Sequence, residues 1–386
     1  MAPKPGLPPS PPAQRLAARL SWLGILLMLL LSGQGCGNNQ SEKAFETGLE
    51  AYRAHNYELA IAEYSEAIRI DPKLMEAYVN RGLTYKQEGV YDKAIADYSE
   101  AIRLKPDYAG AYYNRGMAYS DEHDYDKAIV DYSEAIRLDP KYAGAYINRG
   151  LAYGAKGDQD KAIADENEAI RLDPKDARAY YNRGLAHGRS GEYDKAIADF
   201  SEAIRMKPEY AIAYFNRGLA YGHRGLTSGY KGDYDQAIAD ENEAIRLKPD
   251  YVDAFNTLGL CYYRRGNWSG AITNLNEAIR LSPTNIPAYN GIAWLLAVCP
   301  DGSVRNGSKA LEYAKKACEQ TEWKVPPVLS TLAAAYAEAG DFDNAVRWQT
   351  KYLESNPPNN DYDTSEKARQ RLILYEQKKP YHEERP

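Results

Sequence analysis

The chain has 386 residues, of which 26% are charged, with 48 basic against 54 acidic side chains. A net charge of −6 supplies no bulk positive field for phosphate backbones, which sets nucleic acid aside as a partner. Thirty-four tyrosines against five phenylalanines suit surfaces that are half packed and half wet, and four cysteines without a C-x-x-C pair exclude a disulfide framework or a cysteine zinc site.

Residues 1–35 read as an export signal. Lys4, Arg15 and Arg19 precede an uncharged stretch, SWLGILLMLLLS, too short to span a bilayer comfortably, since that takes about 20 residues. Gly33 and Gly35 stand three and one before Cys36, which suits signal cleavage there. The context also resembles a bacterial lipoprotein signal, in which Cys36 would be lipidated and become the first mature residue. Gly33 stands where that motif has leucine. The expectation is an exported protein, periplasmic or held by a lipid anchor in a bacterial envelope, with 36–40 as a polar tether.

Self-similarity dominates the chain beyond residue 40. YVNRGLTY, YYNRGMAY, YINRGLAY, YYNRGLAH and YFNRGLAY carry Gly82, Gly116, Gly150, Gly184 and Gly218, each 34 residues after the last. A second block such as YDKAIADYSEAIRLKP comes after each and closes on Pro106, Pro140, Pro174, Pro208 and Pro249. Tyr78, Gly82 and Tyr85 share one face of a first helix, and Ala94, Tyr98 and Ala101 form the matching stripe on a second. A glycine inside a helix costs about 1 kcal/mol relative to alanine, so its recurrence calls for close approach of the paired helices. Period and pattern resemble the tetratricopeptide repeat. That implies an all-α fold, an α-solenoid with right-handed superhelical coiling, in about nine units plus a C-terminal capping helix. Phased on the glycines the array spans 41–359, in units 41–74, 75–108, 109–142, 143–176, 177–210, 211–251, 252–285, 286–325 and 326–359.

Between Gly218 and Gly259 the spacing grows by seven residues, and the glycines of GHRGLTSGYKGDYD predict an enlarged loop at 222–235. CPDGSVRNGSKA in the eighth unit predicts an extended turn. Placed at opposite ends of that hairpin, Cys299 and Cys318 would be too far apart for a bridge, which needs Cα atoms within about 7 Å. In the segment 360–386, SEKARQRLILYEQ reads as the capping helix, starting near Ser365 with Leu372 and Tyr375 inward, and KKPYHEERP as a loose tail.

No catalytic motif appears. The five histidines never pair at helical spacing, and DEHDYD lacks the glycine and glutamate of a calcium loop, so no metal, no cofactor and no enzymatic activity are expected. The informative face lies opposite the packing stripe, where Asn80, Asn114, Asn148, Asn182 and Asn216 recur, flanked by Tyr113, Tyr181 and Phe215 among other apolar residues. The resemblance implies that first helices line a concave groove. An amide ladder there would bind an extended peptide through its backbone, and the arrangement resembles the asparagine ladder of the O-linked N-acetylglucosamine transferase repeats. Local bonding along a consensus helix is the other reading of these asparagines, and both stay open. Arg81, Arg115, Arg149, Arg183 and Arg217 flank the packing stripe and are expected to pair with Asp97, Asp131, Asp165 and Asp199 on second helices. The function implied is a protein–protein interaction scaffold outside the cytoplasm, with a protein or peptide partner. The alternative is a pilotin-like envelope-assembly lipoprotein docking a folded partner through edges and loops.

Overall fold

The computed structural model describes residues 39–355 and 365–384; the export segment, Cys36 and the first part of the tether lie outside the described residues. Nineteen helices and no strand occur among the described residues, and consecutive helices pack as antiparallel pairs, so the chain is an all-α solenoid. By their contacts these residues fall into two compact units, divided within one helix after Ala118.

The first unit holds α1 (Asn39–Arg53) with α2 (Tyr57–Ile70), α3 (Met75–Gln87) with α4 (Tyr91–Leu104), and the start of α5 (Ala109–Asp121). The second continues through α6 (Tyr125–Leu138), then pairs α7 (Ala143–Lys156) with α8 (Gln159–Leu172), α9 (Ala177–Arg189) with α10 (Tyr193–Met206), and α11 (Ala211–Ser228) with α12 (Gly232–Leu247). Next come α13 (Val252–Arg264) with α14 (Trp268–Leu281), α15 (Ile286–Val298) with α16 (Gly307–Gln320), α17 (Pro326–Glu338) with α18 (Phe342–Glu354), and finally α19 (Ser365–Glu376).

The recurrent glycine owes its place to a side chain of the second helix. A Cβ on Gly82 would lie 2.8 Å from the Tyr98 ring, and one on Gly184 2.8 Å from Phe200, so neither position admits even alanine without displacing a buried ring. Tyr64, Tyr98, Phe200 and Leu275 occupy this seat in their pairs, all buried. In two pairs a carboxylate takes it. Glu166 and Glu241 are 1% and 0% exposed, seated on Gly150 and Gly218. Burial pushes both well above the ordinary carboxylate range, offset at Glu166 in part by Asn182, and the oxygens of both carboxyl groups lack a hydrogen-bond partner of good geometry.

Arginine forks lace the pairs together. Arg81 donates twice to Asp97 of its own pair, at 2.8 and 2.7 Å, and once to Ser65 of the preceding one at 2.9 Å. In the second unit Arg149 binds Asp165 and Ser133, Arg183 binds Asp199 and Asn167, and Arg217 binds Asp240 and Ser201 in the same way. These side chains are about a fifth exposed, so the forks are bidentate pairs shielded from much of the solvent.

The seven-residue insertion corrects the expected loop at 222–235. Helix α11 runs five residues longer than α9, and α12 two longer than α10, which accounts for the whole excess. Two of the glycines are packing and capping residues. Gly225 faces Asp233 and Tyr234 across the pair, and Gly229 ends α11 at φ 71°. Arg224, on the added turn, pairs with Asp233 at 2.7 Å and with Asp194 of the preceding pair at 2.6 Å. Cys261, Cys299 and Cys318 are buried free thiols.

The tail is the second correction. Tyr375 on α19 is fully buried and Leu372 half-buried, but residues 381–384 beyond it are not loose. The amide of Glu383 donates to the Val298 carbonyl at 2.9 Å, and His382 meets Glu338 at 2.8 Å.

The glycine seat sets the sign of several substitutions. Gly82→Ala should lose about 1–2 kcal/mol in chemical denaturation, because the clash with Tyr98 outweighs the gain in helix propensity. Gly222→Ala, where a Cβ meets nothing within 4 Å, should gain up to about 1 kcal/mol. For Glu166→Leu and Glu241→Leu, thermal melts should show stabilisation of about 1–3 kcal/mol each near neutral pH. The sign with pH is set by the raised folded-state values. Each carboxyl is harmless below its unfolded pKa of about 4.5 and destabilises as pH rises through its higher folded value, so the gain over the parent should shrink toward pH 4.5. A gain that does not change with pH would show that these groups titrate normally.

Candidate peptide-binding groove

The expected ladder is only partly displayed. Asn80 is 6% exposed, and its Nδ2 donates to the Glu76 carbonyl one turn back at 2.7 Å. Asn216 does the same to Ile212 at 2.7 Å and also reaches the Tyr181 hydroxyl at 3.1 Å. Asn182 on α9, Asn114 on α5 and Asn148 on α7 are half-buried. The apolar neighbours are not an open wall either. Tyr181 is 9% exposed, its ring 5.8 Å from Phe200 and 5.1 Å from Tyr210. Phe215 packs on Tyr251 at 4.9 Å, Val79 and Ile147 are buried, and Tyr113 is half-buried. The residue three before the packing glycine therefore fills the gap between successive first helices, and the amide beside it curls back onto its own helix. For Asn80 and Tyr181 this is a correction: both belong to the packed interior.

The same gap position changes character in the last three pairs. Where Val79, Ile147, Tyr181 and Phe215 plug it, Asn256 on α13, Asn290 on α15 and Ser330 on α17 now stand. A cavity of about 890 Å³ opens along these first helices, covered from the C-terminal side by α19 and residues 381–384. The Oδ1 atoms of Asn256 and Asn290 are buried there without a hydrogen-bond partner. In the sequence the signal was the loss of NRG: FNTLG and YNGIA carry their asparagine one residue earlier than FNRG does, a shift of about 100° around the helix.

Arg264 and Lys367 line the cavity, and among the described residues its only lining carboxylates, Glu383 and Glu384, come from the tail. Tyr263 donates its hydroxyl to Glu383, and Trp294 donates Nε1 to the same carboxylate at 3.1 Å. Burial and the adjacent Glu383 charge push the Tyr263 hydroxyl upward. Arg371, 2% exposed, has its guanidinium 5.5 Å over Trp294 and 5.7 Å over Tyr381, with Nη2 donating to Ser330 at 3.0 Å. Among the described residues no group of three or more His, Cys, Asp or Glu is placed to hold a metal ion. Nor is any described helix long and apolar enough to cross a membrane. The arrangement can bind: it offers amide acceptors, ring faces and cations.

Models of the tetratricopeptide repeat match residues 109–142, 132–164 and 177–210, and a TPR repeat model matches 48–89, 84–122, 152–191, 230–266 and 259–296. Among solved structures, the C-terminal part of a TPR repeat-containing protein from Cytophaga hutchinsonii is 20% identical, covering 64% of this chain and 98% of its own, with a TM-score of 0.52. A tetratricopeptide repeat protein from Parabacteroides merdae is 19% identical, covering 63% and 93%, with a TM-score of 0.51. The MamA protein is 30% identical over 44% of this chain and 93% of its own, with a TM-score of 0.41. No curated protein matches the chain. The matched repeats, the glycine seats and the paired helices together make this chain a member of the tetratricopeptide repeat family.

Proposed function

We propose that this scaffold binds an extended peptide segment along α13, α15 and α17, and that it works by binding rather than by catalysis. Tetratricopeptide arrays serve as protein–protein interaction scaffolds; the location of the site is particular to this chain. The observation that carries it is the pair of buried, unsatisfied amide oxygens, Asn256 and Asn290, one repeat apart in a cavity of about 890 Å³. A buried acceptor left unpaired costs about 1–3 kcal/mol, and a peptide N–H restores that bond whatever side chains the peptide carries.

Peptides selected from a displayed library against the full chain should lose at least tenfold in affinity on Asn256→Leu with Asn290→Leu, by about 1 kcal/mol per amide, while the melting temperature is kept or raised. Alanine at Asn114, Asn148 and Asn182 should change that affinity less than threefold. The opposite pattern would move the groove to the earlier repeats.

The setting we infer is the bacterial envelope, reached through the signal at 1–35, with Cys36 as the lipidated residue. Its support is the cationic, apolar and small-residue order before Cys36 and the polar residues after it. Cells fed a palmitate analogue should label the chain and should fail to label Cys36→Ser. A mature chain starting at or after Cys36 without lipid would sink the anchor.

A further inference from the structure

We propose that the cavity is a receptor for an extended acidic segment, in which a glutamate stands two residues after an aromatic one, and that residues 381–384 are such a ligand carried in cis. This rests on the peptide-binding reading above and adds the ligand's chemistry and its control.

Three observations converge on it. The tail alternates as an extended ligand does, with Tyr381 and Glu383 half-buried and His382 and Glu384 exposed. Its backbone is engaged as well, through the Glu383 amide on the Val298 carbonyl at the end of α15. The Glu383 carboxylate bridges two repeats, taking one hydrogen bond from Tyr263 on α13 and another from Trp294 on α15.

Charge points the same way. Arg264 and Lys367 line the space and Arg371 is buried beside it, and among the described residues no carboxylate other than the tail's own lines it. Tyr381 supplies one of the two ring faces that cover Arg371. A ligand that displaces the tail must therefore bring a carboxylate for the Tyr263 and Trp294 donors and a flat face for the guanidinium. The aromatic-x-glutamate spacing meets both needs, since side chains two apart on an extended strand point the same way.

Seated in cis, the tail competes at the high effective concentration of a tethered ligand, so the groove is closed to weak binders. A labelled nonapeptide of residues 378–386, KKPYHEERP, is the probe, titrated by fluorescence anisotropy against the full chain and its Glu383→Ala variant. The variant should bind the probe at least tenfold more tightly than the parent. An unlabelled nonapeptide carrying Glu383→Ala should fail to compete. Should the alanine variant melt early, Glu383→Gln keeps the shape and one acceptor and should give a smaller gain, about threefold. Equal affinity for parent and variant overturns the proposal. Library peptides that lose affinity on Asn256→Leu with Asn290→Leu yet bind the Glu383→Ala chain no better than the parent would overturn it while leaving the groove standing. A parent chain that sediments as a dimer dissociated by the nonapeptide would put a second copy's tail in the cavity, and would overturn it too.

Discussion

Six of the helix pairs among the described residues are spaced by one contact: a second-helix side chain resting on the first helix where only glycine leaves room. Tyr64 on Gly48, Tyr98 on Gly82, Phe200 on Gly184 and Leu275 on Gly259 repeat the same close fit, with a Cβ at each glycine falling 2.7–2.8 Å from the seated group. That distance sets what the rest of the first helix can reach. With the pair drawn this close, an arginine one residue before the glycine meets an aspartate one residue before the seated side chain, as Arg81 and Asp97 do. The remaining guanidinium nitrogen then reaches the preceding pair, so a contact inside one repeat fixes the contact between repeats. Shape governs the seat more than polarity does. Glu166 and Glu241 fit it as Leu275 does, and the cost is electrostatic.

Regularity made part of this legible. A spacing of 34 residues, a glycine in phase and an arginine and aspartate sixteen apart are all periodic features, and each reports the same packing in successive repeats. The departures needed contacts that no local pattern carries. The glycines at 222–235 weigh toward a loop by propensity, yet Arg224 with Asp233 and Asp194, and the close pass at Gly225, reward helix over the same residues. KKPYHEERP has the composition of a solvated tail. What holds Glu383 lies 120 and 89 residues earlier, at Tyr263 and Trp294.

The groove shows how small the informative signal can be. An asparagine in FNRG and one in FNTLG differ by a single step along the helix, about 100°, and that step moves the amide from its own helix's carbonyls to an open cavity. Counting asparagines in phase favours the five earlier repeats; asking which residue fills the gap between first helices selects the last three pairs.

On the proposed reading, stability and binding are divided along the chain. Where Tyr181 and Phe215 plug the gap, their rings join one repeat to the next and leave little for a ligand to cover. Where Asn256, Asn290 and Ser330 replace them, that apolar contact is forgone and polar atoms are left facing a cavity. Arg371 makes the trade sharper. A buried guanidinium is costly unless its faces and N–H groups are covered, and here Trp294, Tyr381 and Ser330 contribute to covering it. Two of those three belong to the helical array and the third is borrowed from residues beyond its last helix. Residues 381–384 thus bring an aromatic face and a carboxylate to the cavity together.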